Sequence, residues 1–237
     1  MPYKRACDLS LHDRAEYISQ LEFGAVLTEP ARLKLAAQAM AMDIRRRRFI
    51  YHAGDTADAL FAIVHGRVKL CRIDPASKRE AVIDILSAGS LFGESALHSA
   101  GGTRENNAVA YENSRLLRIP AEDFKGEMIA DRALYDYTFR LIGQRLVNAE
   151  RRVADFALDA IPARLDKLLL DFSQRYGVHE TEGVLIDLPL PHREIASIVG
   201  STRESVTVRL NAMRRQGIID FVDRKILIKR LDSLVTA

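Results

Sequence analysis

The 237-residue sequence predicts an α+β fold: an amino-terminal rolled β-structure, a long connecting helix and a small carboxy-terminal helical domain with a β wing. Three observations predict it. Short β-rich runs broken by turns fill the stretch from Arg46 to Pro120, and a 3.5-period apolar stripe runs from Tyr135 to Phe156. Two short helical patterns around Gly200 then precede an apolar hairpin. No strand–helix–strand alternation occurs, which argues against a doubly wound nucleotide fold.

Composition bounds the reading. With 48% hydrophobic and 28% charged residues the chain can build a core, so disorder is not a serious reading. No apolar run approaches the roughly 18 residues of a membrane span. The opening MPYKRACDLSLHDRAEY has no apolar signal region, so the expected compartment is the cytoplasm and no membrane partner is expected. Two cysteines, Cys7 and Cys71, are too few for a disulfide framework or a cysteine metal site, and no metal is expected. Cys71, inside an apolar run, reads as a buried structural residue. The net charge of +3 does not by itself establish nucleic-acid binding. The block Arg45-Arg46-Arg47-Arg48 leads straight into a strand-like run and reads as a solvated strand entry in preference to a phosphate contact.

Along the chain, residues 12–24 and 28–42 read as helices. In the second, Thr28 is a candidate N-cap, Pro30 fits the first turn, and Leu33, Ala36, Ala37 and Met40 form an apolar face. Strands are expected at Phe49–Tyr51, Ala59–Val64, Arg67–Ile73, Ala81–Leu86, Ala108–Ala110 and Arg115–Ile119. Turns are expected at Gly54-Asp55, His65-Gly66, Asp74-Pro75, Ala88-Gly89 and Gly101-Gly102. Residues 122–157 return to helix. There Tyr135, Phe139, Ile142, Leu146, Ala149, Val153 and Phe156 alternate in steps of four and three, an a/d seam of about three heptads. A homodimer interface is the preferred reading, with an intramolecular core stripe as the alternative. Then follow a helix at Arg164–Tyr176, a polar turn, a strand at Val184–Leu188, helices at Pro191–Val199 and Ser201–Gln216, and a hairpin turning at Asp223-Arg224. The expected domains are an extension (1–27), a β-roll (28–130), a dimerisation helix (131–158) and a DNA-binding domain (159–237).

The stretch PHREIASIVGSTRESVTVRLNAMRRQGII has the anatomy of a helix-turn-helix. Ile195, Ile198 and Val199 supply the first helix's apolar face, Gly200 the permissive turn, and Val206, Leu210 and Met213 the buried face of the second. The candidate DNA-binding set is Ser201, Thr202, Arg203, Glu204, Ser205, Thr207, Val208, Arg209 and Asn211. These residue types suit a groove: arginine forks onto guanine, glutamate accepts from cytosine, and an apolar group meets the thymine methyl. Arg209, Arg214 and Arg215 suit phosphates.

Three stretches in order, DALFAIVHGRVKLCR, REAVIDILSAGSLFGESAL and REIASIVGSTRESVTVRL, resemble the Crp/Fnr family of transcription regulators. The resemblance implies a cyclic-nucleotide-binding-like double-stranded barrel, a dimerisation helix and a winged helix-turn-helix. It implies that Arg203 and Glu204 read bases and that Ser205 supports a backbone contact. It also implies double-stranded DNA, a second copy of the chain and RNA polymerase as partners. One departure stands out: where family members often carry a second arginine, five residues after the first, this chain has Val208, with Arg209 one place later. One residue turns a helical side chain by about 100°, so Val208 is expected to meet a methyl group and Arg209 a phosphate or the core.

In members that bind cyclic AMP, a glutamate holds the ribose and an arginine followed by a hydroxyl residue holds the phosphate. The matching candidate effector-binding set is Gly93, Glu94, Ser95, Arg104 and Glu105, with Ala149 and Glu150 at the positions that would supply hydroxyl groups to adenine. Glu105 in place of a hydroxyl residue would repel a phosphate and pair with Arg104. No bound cofactor is therefore expected, and cyclic AMP is not expected to bind in the usual way. A cyclic-nucleotide-responsive regulator of the catabolite-activator type is the alternative; a dinucleotide messenger, an apolar metabolite or no effector at all stay open. Neither a P-loop nor a GxSxG, HExxH or CxxC motif occurs, so no catalytic residue and no enzyme activity is expected.

Overall fold

The computed structural model describes residues 9–98 and 102–235, so Cys7 and part of the Gly101-Gly102 turn lie outside the described residues. The chain divides into two compact units between Val147 and Asn148. The order of elements in the first is α1 (Leu11–Ser19), α2 (Glu22–Ala25), α3 (Glu29–Gln38), β1 (Met40–Ile44), β2 (Phe49–Tyr51), β3 (Ala59–His65), β4 (Arg67–Ile73), β5 (Glu80–Ser87), β6 (Leu91–Phe92), α4 (Ser95–His98), β7 (Asn107–Ala110), β8 (Ser114–Pro120), α5 (Ala121–Ala130) and the greater part of α6 (Arg132–Leu158). Two antiparallel four-stranded sheets, β1-β8-β3-β6 and β2-β7-β4-β5, form the roll.

The pleat of β3 shows why its sequence is an unbroken apolar run. Ala59, Phe61 and Ile63 enter a core with Tyr51, Val68, Leu70, Leu86 and Leu116 from strands of both sheets. Leu60 and Ala62 point to the other face, into a second core with Ile18, Phe23, Leu35 and Phe124 from the helices. A strand buried on both faces loses the polar alternation of a half-exposed one. The described part of the amino-terminal segment, residues 9–27, is thus built into the same core. Arg115 of β8 reinforces this by donating to Asp43 at 2.7 and 2.8 Å and to the Tyr17 hydroxyl at 3.1 Å.

Two helices differ from expectation. The helix expected at 12–24 breaks at Gln20-Leu21 into α1 and α2. The one expected at 28–42 begins as foreseen, with Thr28 accepting from the Ala31 N–H, but stops at Gln38. Residues 40–44 form β1 instead, paired with β8 from Met40↔Arg118 to Ile44↔Ser114. The ladder partner, not local propensity, decides that stretch. The buried side of α3 is accordingly Ala31, Leu35 and Ala36, while Leu33 and Met40 are exposed.

The second unit contains the end of α6, then α7 (Ile161–Tyr176), β9 (Gly177–Glu180), β10 (Gly183–Ile186), α8 (His192–Val199), α9 (Arg203–Arg215), β11 (Ile219–Val222), β12 (Lys225–Ile228) and α10 (Asp232–Val235). Its sheet runs β11-β12-β10-β9, all antiparallel. Asp223 and Arg224, both at positive φ, make the two-residue hairpin turn between β11 and β12. Among the described residues, no helix is long and apolar enough to cross a membrane.

Candidate nucleic-acid interface and effector cradle

The helix-turn-helix is built from α8 and α9. Ile195, Ala196, Ile198 and Val199 bury one face of α8, and Val206, Leu210 and Met213 bury one face of α9. Gly200 ends α8 in the left-handed region, at φ 66° and ψ 47°. A Cβ there would come within 2.6 Å of the Phe156 ring. Gly200→Ala is therefore expected to destabilise this unit by about 1–2 kcal/mol from the backbone conformation alone, and by more through the clash. Chemical denaturation checks this; an unchanged midpoint would contradict it.

Thr202 caps α9, its hydroxyl oxygen accepting from the Ser205 N–H at 3.2 Å. Beyond that cap Arg203, Glu204 and Ser205 are exposed, and so are Val208 and Asn211. Val208 keeps 68% of its surface open, unusual for a valine. Val208, Asn211, Arg214 and Arg215 line one open groove. Ser201 is half-buried at the turn.

Two residues of the expected DNA-facing set are committed elsewhere. The Thr207 hydroxyl donates to the Arg203 carbonyl at 2.7 Å and lies 2.8 Å from His192 Nδ1. With its one proton used, it accepts from His192, which places a hydrogen on Nδ1. Burial, and then the charge of Arg203, hold the His192 imidazole below its ordinary pKa, so it is neutral at pH 7. Of the two places expected for Arg209, a phosphate or the core, it takes the one against the buried Asp166. Its guanidinium turns to Asp166 of α7, with Nη2 at 3.0 and 3.4 Å from the two carboxylate oxygens. Arg214 donates to Asp220 at 3.0 Å and lies over the Phe221 ring, which leaves Arg215 the freer cation at this end of the helix.

In the first unit a cradle forms where Gly93, at φ 87°, turns the chain between β6 and α4. Arg104 is 3% exposed. Its two terminal nitrogens donate to the carbonyls of Gly93 at 2.9 Å and Ala59 at 2.6 Å, with Ser95 Oγ at 3.5 Å. The guanidinium lies 4.5 Å from the centre of the Tyr51 ring, and burial lowers its pKa. Burial also pushes the Tyr51 phenol up to about 12, so it stays neutral. The expected Glu105–Arg104 pairing is not what forms. Glu105 faces solvent and pairs with Arg72 at 2.9 Å.

Glu94 is ion-paired with Arg145 of α6, whose second terminal nitrogen donates to the Leu91 carbonyl at 2.5 Å. Sequence reasoning missed Arg145 as a cradle residue. The available signal was its place beside the apolar seam, one step off the stripe. Ala149 and Glu150, expected near an adenine, are exposed on α6 in the second unit. Along the same helix Tyr135, Phe139, Ile142, Leu146, Val153 and Phe156 are all exposed large apolar residues, and Ala149 is exposed with them.

Comparison with known proteins places this architecture. Residues 42–131 match the cyclic nucleotide-binding domain model and residues 163–237 the Crp-like helix-turn-helix domain model. The global nitrogen regulator of Nostoc sp. is 30% identical over 186 residues, covering 78% of this chain and 83% of that protein. The chain belongs to the Crp/Fnr family. Among other relatives, the CRP-like cAMP-activated global transcriptional regulator of Mycobacterium tuberculosis is 28% identical over 84% of this chain and 88% of that one. The fold matches FixK2 from Bradyrhizobium japonicum at a TM-score of 0.73 and 20% identity, over 83% of this chain and 96% of that one. This Crp/Fnr member is a DNA-binding transcription regulator, and α8–α9 is its helix-turn-helix.

Proposed function

We propose that the chain acts in the cytoplasm as a homodimer on a palindromic DNA site, with α9 of each copy in the major groove and RNA polymerase as a further partner. The apolar stripe of α6 carries this reading. Phe139 is 70% exposed and Val153 69% exposed, in line with five other seam residues. A continuous apolar face of this length is not left open in a lone soluble chain, and its heptad spacing matches a second identical helix. On DNA, Arg203 and Glu204 read bases, Val208 meets a thymine methyl, and Arg215 neutralises a phosphate. Light scattering is expected to return twice the 26.6 kDa chain mass at micromolar concentration. A single-chain mass would contradict the reading.

The β-roll does not hold cyclic AMP in the usual way under this proposal. A phosphate at Arg104 would have to displace the carbonyls of Gly93 and Ala59, and the ribose would compete with Arg145 for Glu94. One observation favours the nucleotide-responsive alternative: Arg104 Nε is buried without a partner, a donor left unmatched. Calorimetric titration with cyclic AMP is expected to show no binding at micromolar concentration. A saturating isotherm with one site per chain would overturn this part of the reading.

A further inference from the structure

We propose that Asp166 is a positioning residue for base recognition: through its ion pair with Arg209 it sets the rotation of α9 that turns Val208 toward the groove. This rests on the reading of α9 as the groove-entering helix.

Asp166 is 2% exposed on a helix whose other inward positions, Leu165, Leu168, Leu169 and Phe172, are apolar. An apolar residue would fill that position without cost, whereas burying a carboxylate is unfavourable unless it is compensated. Burial does raise the Asp166 pKa, opposed by the nearby charge and hydrogen bond of Arg209. Such pairs add little net stability; their best-attested use is to fix register.

Register is what α9 needs. Only Val206, Leu210 and Met213 bury its inner face, and apolar packing is non-directional. Glu204, Val208 and Asn211, spaced four and three, lie along one exposed face. Arg209 follows Val208 by about 100° around the axis, so holding Arg209 on α7 holds Val208 outward. Losing the pair frees α9 to roll by a fraction of that step, which turns Val208 off the groove and brings the released Arg209 toward it. The departure from the common family spacing at Val208 and the acid at Asp166 are then two halves of one device.

The test compares affinities for a selected site and for random DNA across a salt series. Asp166→Leu is expected to lower the selected-to-random ratio roughly tenfold, the size of one lost base contact, while random-DNA affinity holds or rises. Its salt slope is expected to steepen by about one, because the released Arg209 becomes a phosphate contact. Asp166→Leu with Arg209→Met replaces the pair by packed apolar groups; it is expected to fold, to regain the wild-type salt slope and to keep the lowered ratio. Asp166→Glu, which retains the carboxylate, is expected to keep most of the ratio. Should the single variant not fold, the double variant decides. A folded double variant with the wild-type ratio and base preferences would overturn the proposal and leave the groove reading intact. A wild-type chain that prefers no sequence would remove both.

Discussion

A chain carrying Leu146→Glu and Val153→Glu is expected to become a monomer and to lose roughly 10²–10⁴-fold in affinity for a full palindromic site. Both side chains are already exposed on the single chain, so neither substitution costs it core packing. The cost falls on the interface, where two pairs of like charges would be buried together against an apolar seam. The monomer keeps its contacts to one half-site but loses the gain from placing two reading helices at once. Circular dichroism is expected to be unchanged while light scattering shows the lower mass. A dimer that persists with both glutamates would place the interface elsewhere.

Arg203→Ala is expected to cost about 1–3 kcal/mol on the selected site, roughly 5- to 150-fold, and to relax the base preference at one position of each half-site. The exposed Arg203 makes no ion pair among the described residues, so its removal takes away little besides the DNA contact. Arg215→Ala serves as the contrast. Also exposed, it lies in the last turn of α9, and its loss is expected to weaken selected and random DNA alike with a salt slope smaller by about one. Arg214 is the poorer choice, because its bond to Asp220 and its place over Phe221 mix a stability effect into the result. Equal losses on all sequences from Arg203→Ala would contradict its assignment as a base reader.

The elements that sequence made legible are those whose identity is local. Turn residues bounded β2, β3, β4 and β5, β-rich runs marked β7 and β8, and the Asp223-Arg224 pair marked the hairpin. Gly200, with the apolar spacing of Ile195, Ile198 and Val199 before it and of Val206, Leu210 and Met213 after it, marked the helix-turn-helix. What stayed hidden depends on partners distant in the chain. Met40–Ile44 carries helix-compatible residues and becomes a strand only because β8 lies beside it. Gly177–Glu180, exposed throughout, has no apolar pattern and is a strand only through β10. The site divides the same way. The exposure of Arg203, Glu204 and Val208 followed from helical spacing within one segment. The Arg209–Asp166 pair joins residues 43 positions apart, and Arg145–Glu94 joins residues 51 apart, distances that periodicity within one helix does not reach. Glu105 was expected at Arg104 because the two are adjacent, yet its partner is Arg72, 33 positions away in the chain.

Selection of bound sequences from random DNA tests the central claim most directly. A symmetric pair of α9 helices predicts an inverted repeat whose half-site centres lie about 10–10.5 base pairs, roughly 34–36 Å, apart. Within each half-site, a thymine is expected at the position facing Val208. Enrichment of an unrepeated motif, or of no motif at all, would contradict a homodimer that reads DNA through this helix.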